Sequence, residues 1–336
     1  MPRAALKVAL IGAGRMGAIH GRDAAAHPCL DLTYLIETRS DGARTLAAEL
    51  GCGVATFAEA LADPELAGVI IASATDTHLD FALACLAAGK GVFCEKPLDL
   101  DLGRLRSNAT SFAVATAPLY VGFNRRFDPH FQALKTEISS GAIGTLESLQ
   151  IVNHDPAPPP PSFIPASGGL FRDFTIHDFD TARWLLGEEP VSVFAWAGCL
   201  VDPAIGAAGD VDTARIVLTT ASGQLCAISN TRRSGYGYDQ RAEAYGSKGA
   251  AMAGNPRIST VEAWSEAGAL AAPIHDGFAA RYAEAFRGEM DHFAAVLAGE
   301  AAPITGYDAS VRALALAEAA GRSVKAGAPV AVEDIR

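Results

Sequence analysis

The sequence predicts an α/β chain in two parts: a parallel sheet covered by helices on both faces, then an α+β domain with a large open, mainly antiparallel sheet. Three observations carry this. Short strands, apolar on both faces, alternate with helical stretches as far as Gly122, as in a parallel sheet buried on both sides. A glycine-rich turn stands between the first strand and the first helix. Beyond Gly122 the segments lengthen and are joined by tight turns, which makes neighbouring strands antiparallel.

In chain order, Leu6 to Ile11 is the first apolar run, and Gly12-Ala13-Gly14-Arg15-Met16-Gly17 then opens a helix. Leu32 to Ile36 is the second run and ends in Glu37; helical sequence follows from Asp41 to Leu50. Gly68 to Ser73, Gly91 to Cys94 and Leu119 to Phe123 are further strands, separated by helical stretches at Leu79 to Ala88 and Leu102 to Ala113. The domains are expected at 1–122 and 123–336. In the second, Ser222-Gly223 turns Ala214–Thr220 back onto Gln224–Ser229, and Gly246-Ser247-Lys248-Gly249 makes another turn. Asp155 to Pro165 holds six prolines, which predicts a stiff loop and neither helix nor central strand. Helices are expected again at Phe278–Leu297 and Asp308–Val324.

Composition narrows the function. The 336 residues are half apolar and 19% charged, as in a packed globular protein. A net charge of −11, from 27 basic and 38 acidic residues, argues against nucleic acid or an anionic membrane as partner. Six scattered cysteines, with no CxxC, read as reduced thiols and give no metal site. A strand already under way at Leu6 leaves no room for a signal peptide, so a cytoplasmic protein is expected.

Gly12, Gly14 and Gly17 fit G-x-G-x-x-G in its proper place, after a strand and before a helix. The first glycine permits the turn, the second lets a pyrophosphate approach the backbone, and the third packs helix on strand. Arg15 and Met16 lie within the loop. Glu37, 20 residues past Gly17, is placed to hold a ribose diol and to repel a 2′-phosphate, so NAD is expected. Arg39 works against that preference, since an arginine there pairs with such a phosphate or stacks on adenine. The first domain therefore reads as a Rossmann domain. Ser73-Ala74-Thr75-Asp76-Thr77-His78 follows a strand at the carboxyl edge where such sheets bind ligands. Thr77 is expected to cap the next helix. Ser73, Thr75 and His78 are cofactor candidates, His78 as a structural or cofactor-adjacent residue.

Glu95-Lys96-Pro97 ends another parallel strand, so Lys96 emerges at the same edge, where its ammonium can stabilise charge developing on a reacting oxygen, and Glu95 and Lys96 are also cofactor candidates. Pro97 predicts a cis bond after Lys96. Asp173 and His177, one helical turn apart in Gly168-Gly-Leu-Phe-Arg-Asp-Phe-Thr-Ile-His-Asp-Phe-Asp180, project from one face if the helix is regular. A carboxylate beside an imidazole orients it and raises its basicity, which suits removal of a hydroxyl proton. Gly168 and Gly169 would let a ligand approach closely. Asp178 is read as exposed, and Asp180 is left open. Asn124 and Arg125 are candidates for substrate or nicotinamide, and Arg126 for an interdomain salt bridge. Asn153 and Tyr236 complete the substrate candidates; for Tyr236 a plain turn is the alternative.

These segments together resemble the glucose–fructose oxidoreductase/inositol dehydrogenase/rhizopine catabolism family over nearly the whole chain. Asn124–Asp128, Gly168–Asp180 and Tyr236–Arg241 look most like its bacterial inositol 2-dehydrogenases. The resemblance implies oxidation of the axial hydroxyl of myo-inositol to 2-keto-myo-inositol with NAD. It places the catalytic lysine, aspartate and histidine at Lys96, Asp173 and His177, and implies a homotetramer formed through the open face of the second sheet. Phe174 stands where some relatives carry a small hydroxyl residue, and His154 where relatives vary. Other inositol isomers, an aldose with NADP, or a non-catalytic NAD-sensing protein are the alternative readings.

Overall fold

The computed structural model describes residues 5–37 and 40–335. Its first half runs β1 (Leu6–Ile11), α1 (Arg15–Ala26), β2 (Leu30–Ile36), α2 (Ser40–Leu50), β3 (Gly53–Val54), α3 (Phe57–Ala62), β4 (Leu66–Ile71), α4 (His78–Ala87), β5 (Gly91–Glu95), α5 (Leu102–Ser107), α6 (Ala109–Val114) and β6 (Leu119–Gly122). The chain continues through α7 (Pro129–Ser139), β7 (Leu146–His154), α8 (Ile164–Ser167), a π-helical turn (Leu170–Phe174) and α9 (Ile176–Leu186). Then come β8 (Pro190–Gly198), α10 (Pro203–Ala207), β9 (Thr213–Thr220), β10 (Leu225–Thr231), β11 (Asp239–Gly246), β12 (Gly249–Ala253) and the hairpin β13 (Glu262–Ser265) and β14 (Gly268–Ala271). Helices α11 (Phe278–Arg281), α12 (Ala283–Leu297) and α13 (Tyr307–Ala326) precede β15 (Val330–Ala331).

Two compact units result, Met1–Asn124 with Glu284–Leu314, and Arg125–Ala283 with Ala315–Arg336. In the first, six parallel strands stand in the order β3-β2-β1-β4-β5-β6. The order reverses between β1 and β4, the switch point at which open α/β sheets bind ligands outside the carboxyl ends of their strands. Val8, Leu10, Ile70, Val92 and Val121 are wholly buried, which explains strands without apolar–polar alternation.

Glu284–Leu314, inside the second domain expected at 123–336, packs with the first unit. Two strand glycines supply the reason. A Cβ at Gly68 would meet Leu297 at 2.8 Å and Phe293 at 3.0 Å, and one at Gly91 would strike Leu297. Their missing side chains let α12 lie directly on the sheet, with Phe293 beside Phe93 and Phe286 beside His20.

In the second unit seven strands follow the order β12-β11-β7-β10-β9-β8-β15. All neighbours are antiparallel except β7 and β10, so the sheet is mixed but mainly antiparallel. The proline-rich segment does end in a helix, against expectation: α8 starts at Ile164 with Pro165 in its first turn, where a missing N–H costs nothing.

Candidate active site

The glycine loop fits a dinucleotide. Gly12 has φ +102°, and a Cβ there would meet the Ala72 carbonyl oxygen at 2.5 Å, so only glycine fits without strain. A Cβ at Gly17 would collide with the Gly12 carbonyl, while one at Gly14 would meet nothing within 4 Å. Gly14 is the N-cap of α1 and makes no side-chain cap, so the first N–H groups of that helix face an open cradle suited to a pyrophosphate. The Ala13 amide donates to Glu37 Oε2 at 2.9 Å, which ties the acid at the end of β2 to the loop. Arg15 is exposed and Met16 half-buried. Arg39 lies outside the described residues.

Ser73 and Thr75 are half-buried beyond β4. Thr77 does not cap α4 with its side chain: its hydroxyl donates to Ala74 O at 2.7 Å and meets Ser73 Oγ at 2.7 Å. His78 is buried, with Nδ1 at 2.9 Å from Pro97 O and Nε2 at 3.2 Å from Ser73 O. Burial pushes its pKa down, while the hydrogen bonds to Pro97 O and Ser73 O work the other way. His78 thus fastens the loop after β4 to the loop after β5.

Lys96–Pro97 is cis, as the sequence predicts. Lys96 is half-buried at the carboxyl end of β5. Glu95, a cofactor candidate, is buried: Oε1 lies 2.7 Å from His20 Nε2, and Oε2 accepts the Lys96 amide at 3.1 Å. Burial opposes its ionisation, but the His20 hydrogen bond and the charges of His20 and Lys96 together outweigh burial and lower its pKa. Behind it stands Glu289, wholly buried, accepting the Tyr120 hydroxyl at 3.3 Å. Burial first, and the Glu95 charge second, push that carboxyl well above the usual range.

In the second unit Asp173 and His177 do not share one regular helix. Asp173 sits in the π-helical turn, closed by Thr175 N donating to Leu170 O at 2.9 Å, and His177 in the first turn of α9. Such a π-bulge is frequent at functional sites. Gly168 and Gly169, with φ +80° and +83°, start the turn. The room at Gly169 is taken by protein and not by a ligand: a Cβ there would meet Asp210 Oδ1 at 2.7 Å, and Asp210 accepts Leu170 N at 2.9 Å. From Asp173 to Asp180 only Asp173 and His177 are half-buried; the six others are buried.

Asp178 is completely buried, which overturns the exposed reading, and buried charge requires partners. It has three. Arg125 donates to Oδ1, and Asn153 and Asn230 donate to Oδ2 at 2.9 and 2.8 Å. Gln240 donates to Asn153 Oδ1 at 2.5 Å and accepts Arg125 Nη2 at 2.7 Å and the Tyr282 hydroxyl at 3.2 Å. Thr175 donates to Asn230 Oδ1 at 2.7 Å. Strand register makes this row: Asn230, Asn153 and Gln240 are direct neighbours on β10, β7 and β11, so their side chains leave one sheet face together. Burial lowers the Arg125 pKa, but Tyr282 and Asp178 more than offset it, so this guanidinium stays charged.

Candidates Arg125 and Asn153 are therefore committed to Asp178. Asn124 is buried with Oδ1 unpartnered among the described residues. Arg126 grips Asp180 by two 2.8 Å bonds, a pair that lies within the second unit. Tyr236 donates to Asp239 Oδ2 at 2.8 Å and lies 3.3 Å from His154 Nδ1, while its ring is exposed. Sequence reasoning missed Asp210, Asn230, Arg232, Gln240, His20 and Glu289. The legible trace was polar residues at matching ends of otherwise apolar strands.

The model of the oxidoreductase family with an NAD-binding Rossmann fold matches residues 6–123, and that of the GFO/IDH/MocA C-terminal domain matches 131–252. The chain belongs to the GFO/IDH/MocA family. It is an NAD-dependent oxidoreductase acting on CH–OH groups. An inositol 2-dehydrogenase of Rhizobium meliloti strain 1021 is 46% identical over 95% of this chain and 97% of its own length. The crystal structure of a myo-inositol dehydrogenase from Corynebacterium glutamicum is 36% identical, with a TM-score of 0.93 over 97% of this chain and 98% of its own. A scyllo-inositol dehydrogenase from Lactobacillus casei, solved with NAD(H) and scyllo-inositol, is 26% identical, with a TM-score of 0.90 over 98% of this chain and 99% of its own.

Proposed function

We propose that this GFO/IDH/MocA member oxidises myo-inositol at its axial hydroxyl to 2-keto-myo-inositol, working as a homotetramer. The observation that carries the reading is the half-buried pair Asp173 and His177 in a run whose other members are buried, on a turn pinned by Asp210 and the Asp178 network. Bound NAD supplies the hydride acceptor. His177 takes the hydroxyl proton, Asp173 orients the imidazole and balances its charge, and Lys96 holds the reacting oxygen. Asn124, with its buried unpartnered oxygen, accepts from a ligand donor. Arg125 and Asn153 act behind the reacting groups, through Asp178; no contact with reacting atoms is assigned to Tyr236.

A second reading, another inositol isomer, is favoured by the relative solved with scyllo-inositol. Turnover of a panel of inositols and hexoses with NAD and with NADP, followed by absorbance of the reduced nicotinamide, separates the two. Fastest turnover on myo-inositol with NAD is expected, and His177→Ala should lower kcat by roughly 10²–10⁴. Near-normal turnover by that variant at neutral pH would remove His177 as the base. For the tetramer, Trp196, Val217 and Tyr245 of the second sheet are exposed apolar side chains, as an association face requires. Light scattering that gives a monomer mass at micromolar concentration refutes it.

A further inference from the structure

We propose that Arg232 is a positioning residue for the oxidation, acting on the reacting groups through Asp173; this rests on the reading of Asp173 and His177 given above. Strand alternation sets the argument up. Asn230 and Asn153 are register partners on parallel β10 and β7 and point at Asp178 on α9. Two residues beyond each, Arg232 and Asp155 return to the same face, while Thr231 and His154 between them turn to the other. The backbone there is held, since Arg232 N donates to Asp212 O at 2.9 Å and Asp155 N donates to Thr231 O at 3.0 Å. Asp212 is itself fixed by the amides of Leu200, Val201 and Asp202 at 2.8 to 2.9 Å.

The guanidinium that results is forked between two carboxylates. Nη2 donates to Asp173 Oδ2 at 3.2 Å and Nη1 to Asp155 Oδ2 at 3.4 Å, while its carbon lies 4.7 Å from the centre of the Phe174 ring. The Arg232 side chain is 4% exposed and that of Asp173 21%. A buried cation on a fixed strand end therefore sets the direction of a carboxylate that is still reachable from outside. Phe174, at the position where the sequence departs from some relatives, is the ring on which the guanidinium rests. The π-helical turn is then held at both ends, by Asp210 at Leu170 and by Arg232 at Asp173 and Phe174. A planar fork does this where a lysine cannot, because one ammonium cannot present two divergent N–H groups in a plane.

The test is steady-state kinetics of Arg232→Met and Arg232→Lys with myo-inositol and NAD, beside His177→Ala and a fluorescence titration of NAD. A carboxylate that slips out of line costs an interaction realised only in the transition state. The methionine variant should therefore lose about 10²-fold and the lysine variant about 10-fold in kcat, with KM for the polyol and Kd for NAD nearly unchanged. A methionine variant with near-normal kcat, or one whose whole loss lies in KM, overturns the proposal. If it does not fold, the lysine variant decides alone, and a normal kcat in it overturns the proposal equally. An inactive His177→Ala beside a fully active Arg232 variant rejects this inference and leaves the base assignment standing; an active His177→Ala rejects the assignment itself.

Discussion

The Glu37 carboxylate accepts the Ala13 amide at 2.9 Å, so the acid proposed to hold the ribose of NAD is also a strut of the glycine loop. Its two roles can be separated. Glu37→Gln keeps an oxygen acceptor for the amide and removes the charge; Glu37→Ala removes both. A hydrogen bond to a charged group is worth about 1.5–3 kcal/mol, roughly ten- to a hundredfold in affinity. Fluorescence titration should show the glutamine variant with weaker NAD binding, a smaller preference over NADP, and an unchanged Tm. The alanine variant should show weaker binding and a lower Tm. An unchanged NAD/NADP ratio in both would remove Glu37 from cofactor choice.

Gly12 and Gly14 look alike in the motif but should answer differently to alanine. At Gly12 the positive φ and the Ala72 carbonyl oxygen at 2.5 Å mean that a methyl group forces the backbone to move. At Gly14 a methyl group meets no protein atom within 4 Å and occupies only the cradle. Gly12→Ala should therefore lower both Tm and NAD affinity, and Gly14→Ala NAD affinity alone. Equal Tm values for the two variants in the absence of NAD would contradict this account.

The first unit was readable because it follows from local rules: apolar strands, helices between them, and one glycine loop whose geometry forbids side chains. The loss of Glu284–Leu314 from the expected second domain was not readable, because Gly68 and Gly91 receive α12 from more than 180 residues away. Asp173 and His177 stood out by spacing, yet the π-helical turn that carries Asp173 is pinned by Asp210, a contact without local signal. Asp178 illustrates the same limit. An aspartate on a helix reads from sequence as solvated, and only the cross-strand row of Asn230, Asn153 and Gln240 makes it interior.

That buried row predicts a large and partly reversible loss. Asp178→Ala leaves Arg125 charged and enclosed, and breaking a buried pair from one side costs about 3–5 kcal/mol. Replacing Arg125 by Met in the same chain removes the stranded charge, so the double variant should unfold at higher denaturant than Asp178→Ala alone. Chemical denaturation of the two single variants and the double variant measures the coupling. Strictly additive losses would mean that the two side chains do not depend on each other.

Glu289 and Glu95 should give the first unit opposite responses to pH. The Glu289 pKa is raised above its usual 4.5, by burial and then by Glu95, so the folded chain keeps a proton that the unfolded chain releases. Its contribution to stability is complete below about 4.5 and is lost as pH rises toward the folded value. Glu95 is lowered from 4.5: burial resists ionisation, but His20 and Lys96 prevail, so its contribution is present above that value and lost as pH falls. Tm measured between about pH 4 and about pH 8 should show Glu289→Gln gaining on the parent as pH rises. Glu95→Gln should fall behind only up to about pH 5, where the unfolded carboxyl is already ionised, and stay level with pH above it. Parallel Tm curves for parent and Glu289→Gln would show that this carboxyl ionises as freely inside the fold as outside it.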